Sequence, residues 1–223
     1  MKIKLLCCSM ALILTGCKTE LTTDVNYSQL TNKEHKLVAA SLVVEVPACT
    51  DYQDSRKESN TLTDLKKTIA NVLPSSEYKE CYRKGMDSYA SFTTPVSIGY
   101  MDGNMSIDTS AIYIGGSDAM PMFAYIPPPL KKAINSAKKN SMMDKSLSFS
   151  IKINLKNDTD KDVQVSPTAI FVNDYPIVTM QGYPITLKKG YQADIKLSDV
   201  SIARMLDESI SSSTPILLAP TQK

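Results

Sequence analysis

The sequence predicts an α+β protein that is mainly β, with antiparallel strands, a β-sandwich in its C-terminal half and a few short helices. Two observations support this prediction. Five apolar residues alternate with polar ones at a strict period of two, as in a half-buried strand: Leu147, Phe149, Ile151, Ile153 and Leu155. Short apolar segments separated by polar turns then recur up to residue 197, which is typical of antiparallel strands.

Composition limits the kind of core and the kind of partner. Hydrophobic residues make up 43% of the 223 residues, and the chain has no Trp, so the core is expected to be mainly aliphatic. There are 25 basic and 23 acidic residues. Lys2 and Lys4 lie in a segment that we expect to be removed, and 25 minus 2 leaves 23 basic residues against 23 acidic ones. Such a neutral balance argues against nucleic acid as a partner, because phosphate binding needs a basic surplus.

The N-terminus has the pattern of a signal peptide over residues 1–16. A short basic segment, Met1–Lys4, precedes the apolar run Leu5–Leu14. Ten residues are too few to span a bilayer as a helix, which needs about 20.

The run Leu14-Thr15-Gly16-Cys17 resembles the lipobox of bacterial lipoproteins. The resemblance implies cleavage before Cys17, a diacylglycerol on its thiol and acylation, for example with palmitate, of the new amine. Two or more acyl chains give stable anchoring where one does not. By similarity to enteric lipoproteins, Lys18 after the cysteine implies the outer membrane, if the source is Gram-negative. The chain as a whole resembles uncharacterised envelope lipoproteins of enteric bacteria and their mobile elements.

The five cysteines fall into three groups. Cys7 and Cys8 leave with the signal peptide, and Cys17 carries the lipid. Cys49 and Cys81 remain in an oxidising compartment, where a disulfide is expected. The alternative is a pair of buried free thiols.

The mature chain is predicted to have three parts. Residues 17–34 are the lipidated Cys and a polar tether. Residues 35–126 form an N-terminal α+β region, in which a strand ends at Pro47 and a helix begins with Asn60 or Thr61 as its cap and ends at Pro74. Strands follow the helix, and Lys84-Gly85 is a turn signal between them.

Residues 127–223 are predicted to form the C-terminal sandwich-like region. A basic helix covers about residues 130–142, strands follow from residue 146, and Ser198 or Asp199 caps a closing helix. Residues 211–223 are expected to be loose. The strand segment is similar to the small immunoglobulin-like modules of exported bacterial proteins.

Few residues suggest chemistry. The chain has a single histidine, His35, next to the predicted tether, which is a poor place for a catalytic site. The acidic run Asn157–Asp162 lacks the Gly and the Glu of a calcium loop, so a solvated turn is the preferred interpretation. We therefore expect no metal, no cofactor and no enzymatic activity.

Two groups of side chains could contact a partner. One face of the basic helix carries four lysines that could bind lipid headgroups or an acidic partner: Lys131, Lys132, Lys138 and Lys139. The alternative is an ordinary solvated helix face. Tyr78, Tyr82 and Tyr89 cluster around Cys81 and could form an aromatic surface that binds a partner. The preferred interpretation is that they pack on the disulfide.

These observations predict a non-catalytic envelope lipoprotein that binds another envelope protein. Its role would be that of a surface-exclusion factor, an accessory lipoprotein of secretion or pili, or an assembly factor. The alternative is a small-ligand or lipid-binding module, which would need an apolar cavity.

Overall fold

The computed structural model describes residues 18–101, 108–140, 148–178, 184–210 and 216–220. The predicted signal peptide and Cys17 lie outside these ranges. Within them the chain forms four helices and thirteen strands. The helices are α1 (Tyr27–Leu30), α2 (Asn60–Val72), α3 (Pro128–Asn140) and α4 (Asp199–Leu206). The strands are β1 (Lys18–Asn26), β2 (Lys36–Val46), β3 (Glu77–Lys84), β4 (Asp87–Tyr100), β5 (Ile112–Gly116), β6 (Met122–Tyr125), β7 (Ser148–Lys156), β8 (Val163–Pro167), β9 (Ile170–Val172), β10 (Tyr175–Ile177), β11 (Ile185–Leu187), β12 (Gln192–Leu197) and β13 (Ile216–Pro220).

All thirteen strands belong to one curled sheet. Its order is β10-β9-β12-β7-β1-β2-β4-β5-β6-β13-β8-β11, and β3 pairs with the first half of β4. The described pairs are antiparallel except β1 with β7 and β4 with β5. Only two residues separate Pro167 from Ile170, yet β8 and β9 lie near opposite ends of this order. The sheet therefore curls until its two ends approach each other. This confirms the prediction of an α+β, mainly β protein.

The first strand corrects the predicted tether. Residues 18–26 form β1, which lies between β2 and β7 instead of extending away from the body. Leu21 and Val25 are buried, and so are Thr19 and Thr23, which alternate with them on the same face of the strand. The prediction failed because threonine counts as polar by composition, whereas its β-branched side chain fits a pleated, half-buried surface.

The N-cap of helix α2 lies one residue before the predicted caps, Asn60 and Thr61. Ser59 is its N-cap, and the Ser59 hydroxyl accepts a hydrogen bond from the Leu62 amide at 3.1 Å. Leu62 is buried, while Leu65 and Ile69 pack against the same core. The helix therefore covers one face of the sheet, as its apolar spacing predicts.

The two predicted regions share the sheet. The C-terminal strand β7 pairs with β1 over nine residue pairs, and β13 pairs with both β6 and β8. The buried residues of both regions form a single hydrophobic cluster. Residues 216–220, expected to be loose, form β13, in which Leu217 and Leu218 are fully buried. The Ser and Pro residues around this short apolar run hide it from a composition-based prediction.

Candidate functional site at the Cys17 end of the sheet

The strand β1 begins at Lys18, one residue after Cys17. The Lys18 amide donates a hydrogen bond to Glu45 Oε2 at 3.2 Å. The neighbouring strands pair Val46 with Ser88. The start of β1, the end of β2 and the start of β4 therefore lie at one end of the sheet, which we call the Cys17 end.

A disulfide closes this end. Cys49 and Cys81 are bonded, with their Cα atoms 5.6 Å apart, which confirms the pairing expected from the sequence. Cys49 follows β2 and Cys81 lies in β3, so the bond ties the loop between β2 and α2 to the hairpin. Ser59 supports the same loop: its amide donates to the Cys49 carbonyl at 3.1 Å, and its hydroxyl donates to the Ala48 carbonyl at 2.6 Å.

The β3–β4 hairpin projects from this end. Its two-residue turn is Gly85-Met86, and Gly85 has φ +66°, as glycine has at the first central position of a type II′ turn. The Met86 side chain is 97% exposed. Below the turn, Tyr82 and Tyr89 face each other across the two strands with stacked rings 5.7 Å apart. Sequence reasoning found the turn but missed Met86, although a residue at a hairpin tip has no facing strand to cover it.

The tyrosines around Cys81 have two different roles. Tyr78 packs edge-on against Phe92 at 5.5 Å, and the Lys66 ammonium lies 4.3 Å from the centre of the Tyr78 ring. Desolvation by burial raises the pKa of the Tyr78 hydroxyl. This tyrosine is a packing residue, as preferred from the sequence. Tyr82 and Tyr89 lie on the outer face, where both are half-buried.

Another exposed aromatic residue lies in the disulfide-linked loop. Tyr52 is fully exposed. Nearby, Asp54 accepts from Arg56 Nε at 2.9 Å and lies 3.7 Å from the Lys57 ammonium. The hydrogen bonds from Arg56 are the largest cause of a lowered pKa of the Asp54 carboxyl. Much of the positive charge of this loop is therefore balanced by one carboxylate.

The predicted four-lysine face requires a correction. Lys131 is buried, and its ammonium donates to the carbonyls of Asp207 at 3.0 Å and Ile210 at 3.3 Å. It thus ties the start of α3 to the chain after α4, and it is not a headgroup contact. Lys132 and Lys139 are exposed, and Lys138 is half-buried. Sequence spacing does not reveal which lysine of a helix lies over a neighbouring helix end.

The single histidine belongs to an aromatic stack. His35 Nε2 lies 2.8 Å from the Tyr100 carbonyl oxygen, and its ring stacks on Tyr113 at 5.2 Å. The buried Tyr113 hydroxyl donates to the Gly99 carbonyl at 2.7 Å. Gly99 and Gly115 are register partners in β4 and β5, and both leave room for these rings. The contacts of His35 are those of a packing residue.

The acidic run after β7 is a structured turn. The side-chain amide of the buried Asn157 donates to the Lys161 carbonyl at 2.9 Å and the Leu187 carbonyl at 2.7 Å. Asp158 accepts from the amide and hydroxyl of Ser28, at 2.9 and 2.5 Å. Partial desolvation raises the pKa of Asp158, but these hydrogen bonds outweigh it, and the net pKa is lowered. These oxygens and amides serve the fold by joining the turn to α1.

An apolar cleft lies at the other side of the molecule. Its volume is about 450 Å³, it is partly open to solvent, and its lining includes Val172, Ile185, Leu187 and Tyr191. The alternative prediction, a small-ligand or lipid-binding module, requires an apolar cavity of this kind.

Within the described ranges, no three or more His, Cys, Asp or Glu side chains are grouped to hold a metal ion. No helix in that part of the chain is long and apolar enough to cross a membrane.

Comparison with known proteins identifies a family. A family model described as a domain of unknown function, DUF7424, matches residues 19–223. The match thus begins inside β1, two residues after Cys17. No curated protein and no solved structure matches the chain significantly.

Proposed function

The chain belongs to the DUF7424 family, and we propose that it is a membrane-anchored, non-catalytic lipoprotein of the cell envelope that binds another envelope protein. The observation that carries the proposal is the lipobox-like run Leu14–Cys17 directly before the folded domain. Both β1 and the family match begin within two residues of Cys17. A processing site is expected at such a boundary, because cleavage there removes no residue of the domain. Lys18 supports the outer membrane as the destination.

A protein partner is supported by exposed apolar side chains away from the anchor. Leu37 is 61% exposed at the start of β2, and Tyr191 is 45% exposed just before β12. The strand register places both at the end of the sheet opposite to Cys17, because Leu37 and Tyr191 lie level with the end of β1 and the end of β7. Aromatic and apolar groups are enriched in the cores of protein interfaces. In an anchored protein this end would point away from the membrane towards other envelope proteins.

The anchor is tested by metabolic labelling with an alkyne analogue of palmitate. The wild type and Cys8→Ser should be labelled, because Cys8 lies in the segment that is removed. Cys17→Ser should lose the label and accumulate as precursor, since no other thiol remains at the cleavage site. Label that persists in Cys17→Ser would contradict the proposal.

The partner is tested by photo-crosslinking in intact cells. A benzophenone amino acid at position 37 or 191 should give a discrete crosslinked species, identified by mass spectrometry. The same group at Lys67, whose side chain is 71% exposed on α2, is the matched control. Equal crosslinking at all three positions would show that contact at the far end is nonspecific.

The cleft supports a second candidate function, binding of a small apolar ligand. Leu187 and Ala193 in its lining are buried residues of β11 and β12. Native mass spectrometry of protein purified without detergent should then show a bound mass. Ala193→Phe, which would fill the cleft, should remove that mass. Retention of the same mass in this variant would place the ligand elsewhere.

A further inference from the structure

The β3–β4 hairpin projects from the end of the sheet at which β1 begins with Lys18. Glu45 accepts the Lys18 amide, and Glu45 is the register partner of Tyr89. Moving from Tyr89 back to Met86 is therefore parallel to moving along β1 from Asn26 to Lys18. At about 3.3 Å per residue, the turn lies roughly 10 Å beyond the level of Lys18.

The hairpin tip has the composition of a membrane-surface element. Met86 is 97% exposed, and two exposed basic residues, Arg83 and Lys84, precede the turn. One acidic residue, Asp87, follows it. Long basic side chains extend to phosphates while their apolar stems stay in contact with lipid.

A pair of tyrosines lies between this tip and the body of the protein, and a third is exposed in the disulfide-linked loop. The stacked pair Tyr82 and Tyr89 lies below the turn, and Tyr52 is fully exposed in the loop that the disulfide ties to β3. Tyrosine is enriched at the level of lipid headgroups, because its ring is apolar and its hydroxyl is polar. The order from tip to body is thus an apolar side chain, then cations, then tyrosines.

We propose that the Gly85-Met86 turn is a second membrane contact, which seats the lipid-anchored protein on an anionic phospholipid surface. Met86 enters the boundary between headgroups and acyl chains, and Arg83 and Lys84 contact the lipid phosphates. The inference rests on the proposed lipid anchor at Cys17. One methionine and two cations bind a membrane weakly by themselves, but an anchored protein meets the surface at a high effective concentration. The contact then sets orientation, so that β2 and β12 present Leu37 and Tyr191 away from the bilayer.

The chain contains no Trp, so single-tryptophan variants report on one position each. We would compare Met86→Trp with Leu37→Trp, a matched exposed position at the opposite end of the sheet. The mature chain from Cys17 onwards has one free thiol, since Cys49 and Cys81 are bonded. That thiol is coupled to a maleimide-headgroup lipid in phosphatidylglycerol vesicles whose acyl chains carry bromine, which quenches tryptophan inside the bilayer.

Quenching of the Met86→Trp protein should be at least about twofold stronger than quenching of Leu37→Trp, with an emission shift to shorter wavelength. Adding Arg83→Glu and Lys84→Glu to Met86→Trp should reduce the quenching on these vesicles. Equal quenching at both positions, or none at position 86, would overturn the proposal. The exposed tip would then be assigned to the binding of a protein partner. Because the lipid is attached chemically, failure here is distinguishable from failure of palmitate labelling in cells.

Discussion

Removing the Cys49–Cys81 bond should lower stability by an amount that follows from the loop it closes. The two residues are 32 apart in sequence. For a loop of this length, the chain-entropy model gives about 3.7 kcal/mol at 25 °C. This is a large share of a typical folding free energy of about 5–15 kcal/mol. For a domain of this size it corresponds to a loss of roughly 7–15 °C in Tm, at about 2–4 °C per kcal/mol.

The structure indicates that the effect should be global. The closed loop contains α2, whose Leu62 is buried in the shared core. The loop after β2 keeps other contacts, including the hydrogen bond from the Ser59 hydroxyl to the Ala48 carbonyl. The native state should therefore survive loss of the bond, while the unfolded chain gains freedom.

The assay is urea unfolding of a chain that starts at Lys18, followed by circular dichroism. The double variant Cys49→Ala/Cys81→Ala should unfold at lower urea with one transition, and reduced wild type should behave in the same way. Reductant should leave the double variant unchanged, which is the control. A stability difference below about 1 kcal/mol would refute the entropy argument. Maleimide labelling of denatured, unreduced wild type would refute the bond itself.

Three further substitutions test the packing around β1, β4 and β5. A Cβ on Gly115 would lie 2.3 Å from the Tyr113 ring and 2.9 Å from Phe123. Gly115→Ala should therefore destabilise by about 1–3 kcal/mol, with Gly99→Ala milder because its closest contact is 3.1 Å. A smaller loss for Gly115→Ala than for Gly99→Ala in thermal unfolding would contradict this order. Thr23 is 2% exposed, and its hydroxyl has no hydrogen-bond partner among the described residues. Thr23→Val keeps the shape and removes that buried hydroxyl, so it should be neutral or stabilise by up to about 1 kcal/mol, and a loss beyond 1 kcal/mol would reveal a missed hydrogen bond.

Local patterns in the sequence were sufficient for several elements. The period-two run that includes Ile151 and Ile153 predicted β7, and apolar spacing with Pro74 predicted α2. The cysteine count predicted the disulfide, because only Cys49 and Cys81 remain after the N-terminal processing expected from the lipobox resemblance. The strand and the helix depend on residues that lie close together in sequence. The disulfide could be predicted because few cysteines are present.

Two features were decided by tertiary contacts. Residues 18–26 are a central strand because β2 and β7 lie on both sides and bury Leu21 and Val25, whereas their composition suggested a tether. Lys131 is buried because the chain after α4, over seventy residues away, supplies carbonyls for its ammonium.

The same contrast between local sequence and tertiary contacts applies to Met86 at the candidate site. The sequence by itself determined that a turn lies at Gly85 and that a lipobox-like run ends at Cys17. Only the register of β1, β2 and β4 decided that the turn and Lys18, the residue after Cys17, lie at one end of the sheet. The physical reason is that strand pairing is set by contacts between residues distant in sequence, and a local pattern carries no information about which strands will be neighbours.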